Sequence, residues 1–362
     1  MNQPFEGGAR RPHRHFALGV SAQRTCARRA LTLLTILSWS VNAACAHRTA
    51  QTTAGPGLAE IIANPGDTHK AATGDDRPIE VASLLGVGLR RPFLDSASAA
   101  PLERNLAAAA DSLRKNPTGA DALLWYGRRL GELGRYREAI DTFTVGIRLF
   151  PNDARFYRFR GQRYLTVRRP VLSIGDYQKA VSLMRGKPDE AEIDGAANSR
   201  DTPHATLHFA VWYQLAVSLY VRGDYGNTII MLDSASRIAP NADARVAIAY
   251  WRYLALKRTS KDREAASVLA IAGEKLDVTE SAAYWKVLQL FAGQTTVEAL
   301  SPKRGLEIAT ASDAIIAYGA SMTYWFAGQK NVARDLWKRM MGGNAWPSYG
   351  VLSAEADLER VQ

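Results

Sequence analysis

The chain has few cysteines. Only Cys26 and Cys45 occur among its 362 residues, and we expect Cys26 to be removed with an N-terminal signal. The single remaining thiol can form no internal disulfide, which excludes the small domains that are held together by disulfide bonds. The mature protein must therefore be stabilised by the packing of its secondary structure.

Motifs of the common enzyme classes are also absent. The sequence has no glycine-rich phosphate loop, no G-x-S-x-G elbow and no Cys–His pair suited to catalysis. His204 and His208 have the spacing of the zinc motif H-E-x-x-H, but Ala205 stands where that motif has its general base. We therefore predict a protein that is not an enzyme and needs no metal or cofactor.

The apolar run near the N-terminus, residues 30–41, is far shorter than the roughly 20 residues that cross a bilayer. A basic segment ending at Arg29 precedes this run, and small residues follow it up to Cys45. Basic, then apolar, then small residues is the order of a secretory signal. We therefore predict a signal peptide over residues 1–44.

Cys45 directly follows Ala43 and Ala44, which is the position of the lipidated cysteine in bacterial lipoproteins. Asn42 departs from the lipobox, where an aliphatic residue is usual. Two alternatives stay open: lipidation of Cys45, which we favour, or ordinary cleavage after one of the two alanines. Both predict export, with the protein in the periplasm or, as a lipoprotein, tethered to the outer membrane.

Much of the positive charge belongs to the predicted signal. Residues 1–44 carry six arginines and one glutamate, and removing this +5 from the whole-chain value of +11 leaves about +6. Such a mild excess does not favour a nucleic-acid partner. Residues 46–80 lack hydrophobic periodicity and are rich in Ala, Thr, Gly and Asp. We predict a flexible tether over 45–100 and one folded domain over 101–362.

From residue 120 onward a helix–turn–helix pattern recurs about every 34 residues. In the first unit Leu123 marks the apolar face of the first helix, by the three-and-four spacing of helical faces. Small residues at Gly127 and Ala139 allow two helices to approach closely, and Pro151 ends the unit because proline cannot continue a helix. The pattern therefore predicts paired helices.

The same pattern begins again at Ala154 and at Phe209. Looser units cover 243–276 and start near Ser281 and Ala314. Because each helix pair can bury its apolar face only against a neighbour, the series predicts one continuous array rather than separate domains.

These units resemble the tetratricopeptide repeat, whose signature is W-x2-L-G-x2-Y…A-x3-F…P. The segments 157–164 and 349–358 further resemble bacterial tetratricopeptide proteins without an assigned activity. The resemblance implies an all-α fold: an α-solenoid of about six helix pairs, with capping helices over 102–115 and 351–361. It also implies a scaffolding role and no catalytic residues.

The resemblance suggests where a partner would bind. In tetratricopeptide repeats, positions two, five, nine and twelve of each first helix line the concave groove. The groove residues predicted on this chain are Arg128, Arg155, Arg158, Gln162, Tyr213 and Tyr220. Guanidinium groups beside aromatic rings suit the carboxylates of an acidic protein or peptide partner. The alternative is a solvated charged face that nearby carboxylates partly neutralise.

A stretch over 185–203 interrupts the repeat between the second and third units. It contains alternating carboxylates at Asp189, Glu190, Glu192 and Asp194, but it lacks the Gly and Glu positions of a twelve-residue calcium loop. We interpret it as an insertion that is either floppy or shapes a partner site, and we favour the second.

Two function classes stay open. The first is a protein interaction scaffold or adaptor in the bacterial cell envelope, which binds its partners in the concave groove. The second is a solute- or glycan-binding lipoprotein that would use Tyr-Trp dipeptides as sugar platforms. The repeat places Trp125, Trp212 and Trp251 at core positions, which favours the scaffold.

Overall fold

The computed structural model describes residues 76–192, 205–300 and 308–361. The predicted signal peptide, Cys45, and the tether as far as residue 75 lie outside these ranges. The described part opens with a two-stranded antiparallel hairpin of β1 (Ile79–Ala82) and β2 (Gly88–Arg90). All other regular structure in these ranges is helical, as predicted.

Fourteen α-helices and one short 3-10 helix follow the hairpin in the described ranges. They are α1 (Ser96–Lys115), α2 (Ala120–Glu132), α3 (Tyr136–Leu149), α4 (Ala154–Thr166), α5 (Pro170–Met184), α6 (Leu207–Arg222), α7 (Tyr225–Ser236), α8 (Ala242–Arg258), α9 (Asp262–Val268), the 3-10 helix (Leu269–Gly273), α10 (Ala282–Phe291), α11 (Val297–Leu300), α12 (Ala311–Phe326), α13 (Lys330–Met340) and α14 (Tyr349–Arg360). Among these helices, none combines the length and apolar character that a membrane span requires.

The helices pack in consecutive pairs. Helix α2 packs on α3, α4 on α5, α6 on α7, α8 on α9 and α12 on α13. The first helices also contact one another, α2 with α4, α4 with α6 and α6 with α8, and we call their shared surface the inner face. Helices α2 and α4 begin 34 residues apart, at Ala120 and Ala154. The prediction of a tetratricopeptide-like α-solenoid is confirmed.

Glycine allows the two helices of the first pair to approach closely. A Cβ atom on Gly127 of α2 would lie 2.5 Å from Cε1 of Phe143 in α3. Real side chains do not tolerate that distance, so the small residue of the repeat is required by packing. The prediction that Gly127 permits the close approach of these helices is confirmed.

The turn between paired helices uses a left-handed backbone. Gly134, Gly223 and Gly328 have φ values of 72°, 89° and 81° at this point. Arg168 and Ser260 hold the equivalent turns of two other pairs with φ values of 59° and 57°. Glycine adopts such angles freely, whereas other residues pay a strain cost. The arginine and the serine therefore need compensating contacts.

The tryptophans at repeat positions serve packing. Trp251 is fully buried in the main core cluster. Trp212 and Trp285 are partly buried against that cluster, and Trp125 packs against the core formed by α1 to α4. The structure therefore gives these indoles a role in the core, as the repeat register predicts.

The folded part begins earlier than the predicted boundary at residue 101. Helix α1 starts at Ser96, and Leu89 of the hairpin is buried in the main core. The indole Nε1 of Trp346 donates to the carbonyl oxygen of Arg90 at 2.8 Å. The hairpin is therefore held against the C-terminal part of the fold, and residues 96–100 belong to α1, which packs on α2, instead of forming part of a tether.

The C-terminal helix differs from the predicted capping helix over 351–361. A terminal cap has one polar face towards water. In α14, every residue from Gly350 to Leu358 is buried. The physical reason is that α14 packs on α12 and α13 and also on α6, at the inner face. The last helix is therefore part of the core.

Candidate partner-binding groove

A shallow pocket, with about 450 Å³ of empty space that includes its opening to solvent, lies on the inner face between α2, α4 and the start of α6. Its walls are mainly apolar, and its rim carries charges of both signs. The lining residues are Asp121, Leu124, Trp125, Arg128, Arg155, Phe159, Glu190, Ala191, Glu192 and Leu207. An apolar pocket with a few polar groups is the usual form of a binding site.

Arg128 presents its cation to this pocket. Its guanidinium carbon lies 4.7 Å from the ring centre of Trp125 and 4.9 Å from that of Phe159. Burial first, and the positive charge of Arg158 second, lower the pKa of Arg128 to about 10, against the opposing charges of Glu192 and Glu132. In the described ranges, no carboxylate lies within ion-pair distance of its side chain. The group stays cationic at neutral pH, held by aromatic faces.

Arg155 also lines the pocket, but its charge is already balanced. Its Nη2 lies 2.7 Å from Oδ2 of Asp153, and its Nη1 lies 2.9 Å from Oδ1 of Asp121. The hydrogen bond with Asp153 is the largest effect and raises the pKa of Arg155. Arg155 therefore shapes the rim of the pocket and is not free to bind an anion.

Arg158 and Gln162 are joined to each other and to the insertion. Nη1 of Arg158 donates to Oε1 of Gln162 at 2.9 Å, and its Nη2 donates to Oε2 of Glu192 at 2.7 Å. Arg158 is 6% exposed. The guanidinium group of Arg158, a predicted binding residue, is thus already bound by the carboxylate of Glu192.

The described first part of the insertion, residues 185–192, forms one wall of the pocket, and the rest of the insertion, including Asp194, lies outside the described residues. Ala191 and Thr206 make an antiparallel bridge, and the amide of Leu207 donates to the carbonyl of Glu190 at 2.8 Å. Asp189 accepts a hydrogen bond from the backbone amide of His208 at 2.9 Å. Residues 189–192 therefore contact the start of α6 and bring Glu192 to the inner face.

Tyr213 and Tyr220 lie deeper than the predicted groove requires. The hydroxyl of Tyr213 accepts a hydrogen bond from Nε1 of Trp251 at 3.0 Å. Tyr220 is fully buried, and its hydroxyl lies 2.8 Å from that of Tyr318. The structure places both tyrosines in an aromatic cluster of the core, because helix α14 covers this part of the inner face.

The segment 128–169 is rich in arginines, here called the basic patch, and several of them are paired with carboxylates. These pairs are Arg129–Glu132, Arg135–Glu138, Arg160–Asp176 and Arg168–Glu355. Arg163 has no such partner in the described ranges, but it packs over the ring of Tyr136 and does not line the pocket. Much of the patch is thus neutralised by the chain itself, and of the pocket arginines Arg128 has no carboxylate in ion-pair contact among the described residues.

The register of the repeat predicts Arg128 and Arg155 at the pocket, but it misses the carboxylate of Glu192. The insertion lies outside the repeat, so no register relates Glu192 to Arg158. Within the described ranges, no group of three His, Cys, Asp or Glu side chains is arranged to hold a metal ion. His204 lies outside those ranges.

No protein-family model matches the chain, and no curated protein sequence is significantly similar to it. Among solved structures, the chain is similar to YrrB, described as a TPR protein with an unusual peptide-binding site, at 14% identity and a TM-score of 0.37. This match covers 65% of the present chain and 91% of YrrB. A second match, in a structure of Naa15/Naa10 bound to HypK-THB, has 14% identity and a TM-score of 0.32. It covers 68% of this chain but only 35% of the matched chain.

Proposed function

We propose that this protein is a non-enzymatic interaction scaffold that holds an extended segment of a protein partner in the inner-face pocket of its first two helix pairs. The single observation that carries the proposal is the pocket itself, which combines apolar walls with the cation of Arg128. Paired helices supply a rigid frame for such a site, because neighbouring pairs bury each other's apolar faces.

The pocket suits a peptide segment better than a flat protein surface. Leu124 and Leu207 offer apolar contacts from two different helices, and Phe159 adds an aromatic wall. Glu190 and Ala191 line the same pocket. A side chain of the partner can bury in the pocket while the rest of its segment follows the inner face.

Site-specific photo-crosslinking tests this proposal. A benzophenone amino acid at Glu190, an exposed residue that lines the pocket, is expected to capture a discrete protein from an extract of the cells that make this chain. The matched control is the same amino acid at Lys179, an exposed residue of α5 that does not line the pocket. Equal capture at both positions, or capture only at Lys179, would contradict the proposal.

We also propose that the scaffold works in the bacterial cell envelope, tethered through a lipidated Cys45. The support is the order of basic, apolar and small residues before that cysteine. Mass spectrometry of the purified mature protein tests the tether, since lipidation adds acyl chains to an N-terminal Cys45. A mature chain that begins after Ala43 or Ala44 without a lipid would leave export standing and remove the anchor.

A further inference from the structure

Arg128 differs from the other pocket arginines in having no carboxylate of its own. Arg155 is held by Asp153 and Asp121, and its neighbour Arg129 pairs with Glu132 at 2.8 Å although it also lies 4.7 Å from the ring of Trp125. In the described ranges the guanidinium of Arg128 packs on two aromatic faces, and the carboxylates of Glu192 and Glu132 act on its charge only from beyond ion-pair distance. The two adjacent arginines of α2 thus share one indole but differ in ionic partner.

A partly desolvated cation without a carboxylate in direct contact is less favourable than a paired one, and a ligand can supply the missing group. The open side of Arg128 faces the pocket, whose walls at Leu124, Phe159 and Leu207 are apolar. A planar guanidinium group binds a carboxylate through two parallel hydrogen bonds. The rings of Trp125 and Phe159 hold the guanidinium group of Arg128 in a fixed orientation for such a contact. The neighbouring Arg158 already makes this kind of contact, because it donates a hydrogen bond to the carboxylate of Glu192.

We infer that Arg128 is the receptor for one carboxylate of the partner segment, and that the adjoining apolar pocket takes a hydrophobic side chain next to it. This inference rests on the proposed function and specifies the chemistry of its ligand. The carboxylate can be an Asp or Glu side chain or the carboxyl end of a chain, because both present the same planar group.

The acidic rim restricts this ligand further. Asp121, Glu190 and Glu192 surround the pocket, and two of these three carboxylates already have arginine partners. A second negative charge on the ligand would meet their like charges at close range, which is unfavourable. The pocket is therefore expected to prefer a hydrophobic segment with a single carboxylate over a polyacidic one.

Two randomised peptide mixtures provide the test. Both contain N-acetylated pentapeptides; one has free carboxyl ends and the other has amidated ends. The purified full-length protein is immobilised, and mass spectrometry identifies the retained peptides. We expect enrichment of peptides that combine one carboxylate with a neighbouring aliphatic or aromatic residue. Enrichment in the first mixture alone identifies a terminal carboxylate, and enrichment of Asp or Glu in the second identifies a side chain.

Arg128→Gln is the decisive variant and Arg129→Gln is its matched control. Loss of a charge-assisted hydrogen-bond pair corresponds to binding that is about tenfold to a hundredfold weaker. We expect that loss in Arg128→Gln for the best enriched peptide, measured by calorimetry, and no more than about a twofold change in Arg129→Gln. Circular dichroism melts of both variants report whether each is folded.

Two results would overturn the inference: a wild-type protein that shows no preference for carboxylate-bearing peptides, or a folded Arg128→Gln variant that keeps the full preference. Enrichment of polyacidic peptides would overturn the single-carboxylate preference. These failures are distinguishable from failure of the proposed function. If the crosslinker at Glu190 still captures a partner while peptide selection ignores Arg128, the groove binds by other contacts. If crosslinking fails as well, the scaffold proposal fails with it.

Discussion

Arg168 and Glu355 form a buried ion pair between positions 187 residues apart. Nη2 of Arg168 lies 2.7 Å from Oε2 of Glu355, and the two side chains are 2% and 1% exposed. The same guanidinium donates to the carbonyls of Thr166 and Trp346. Arg168 has the left-handed backbone that glycine favours at this turn. The long-range ion pair therefore compensates for strain at the turn and ties α14 to the second helix pair.

Removal of one partner of this pair should destabilise the whole fold. In Glu355→Ala the buried guanidinium loses its counter-charge, and breaking a buried ion pair in this way costs about 3–5 kcal/mol. Glu355 also accepts from the amide of Leu84 at 2.5 Å, so the hairpin loses a contact as well. We expect the free energy of unfolding, from urea denaturation followed by circular dichroism, to fall by that amount.

An exposed ion pair is the matched control. Arg245 and Glu274 lie 2.7 Å apart with side chains 47% and 43% exposed, and such pairs contribute at most about 1 kcal/mol. Arg245→Ala should therefore be nearly neutral. The double variant Arg168→Gly with Glu355→Gln should regain part of the lost stability, because it removes both charges and relaxes the turn. Equal costs for Glu355→Ala and Arg245→Ala would refute the structural role of the pair.

The sequence predicts the helix pairs well because their signals are local. The spacing of Leu123, Gly127 and Phe143 reports contacts within one helix pair, and the same spacing recurs in the next. The position of α14 is different, since it depends on contacts between distant parts of the chain. Two local departures point to it: an arginine at the glycine position of a turn, Arg168, and acids at Glu355 and Asp357 within an otherwise small and apolar helix.

The same limit applies to the candidate site. Register alone assigns Tyr220 to an open groove, because the repeat rule contains no information on what covers the inner face. In the structure, α14 brings Asp357 against Tyr318, whose hydroxyl donates to Oδ2 at 2.7 Å and lies next to that of Tyr220. Among the described residues, no helix covers the pocket of the first two helix pairs in this way, and there Arg128 lies where register places it.

Gly350 allows α14 to approach α12 at the level of the backbone. A Cβ atom at this position would overlap the carbonyl group of Ala314 in α12, and no flexible side chain can move away to accept it. We expect Gly350→Ala to lower the free energy of unfolding by about 1–3 kcal/mol, as overpacking does. Thermal denaturation followed by circular dichroism measures the change.

The control for this substitution is Gly175→Ala. Gly175 lies inside α5, is exposed, and would place its Cβ atom in open space. Alanine stabilises such a helix position by about 0.5–1 kcal/mol relative to glycine. Gly350→Ala should therefore lower the free energy of unfolding, whereas Gly175→Ala should raise it. Stabilisation by both would mean that α14 does not pack on α12 at this distance.

Hydrogen exchange can distinguish an inserted helix from a terminal cap. The amides of α14 should exchange as slowly as those of the core helices, because buried side chains surround it and two buried ion pairs hold it. Helix α11, which has four residues and none buried, should exchange within seconds to minutes. Mass spectrometry of peptides covering both helices measures this. Rapid exchange throughout α14 would show a frayed end of the array.

Alkaline pH should unfold the protein cooperatively. Burial raises the pKa values of Tyr177, Tyr213, Tyr250 and Tyr318 well above 10, and it raises that of Tyr284 to about 12. The unfolded chain releases these protons near pH 10, whereas the folded chain keeps them. Stability from these groups is thus complete below pH 10 and is lost as the pH rises above it, by about 1.4 kcal/mol per pH unit for each tyrosine. Absorbance at 295 nm should report their ionisation only together with loss of the helical circular dichroism signal.

Tyr250→Phe provides the matched variant for this pH dependence. The hydroxyl of Tyr250 is buried and has no hydrogen-bond partner in the described ranges, so its removal relieves a desolvation cost of about 1–3 kcal/mol. The variant should be more stable than the wild type at pH 7. Above pH 10 its free energy of unfolding should fall less steeply, because one tyrosine fewer contributes to the pH dependence. Urea denaturation at pH 7 and at pH 11 measures both effects. A variant that is destabilised at pH 7, or that loses stability with the wild-type slope, would show that this hydroxyl has a partner or is open to solvent.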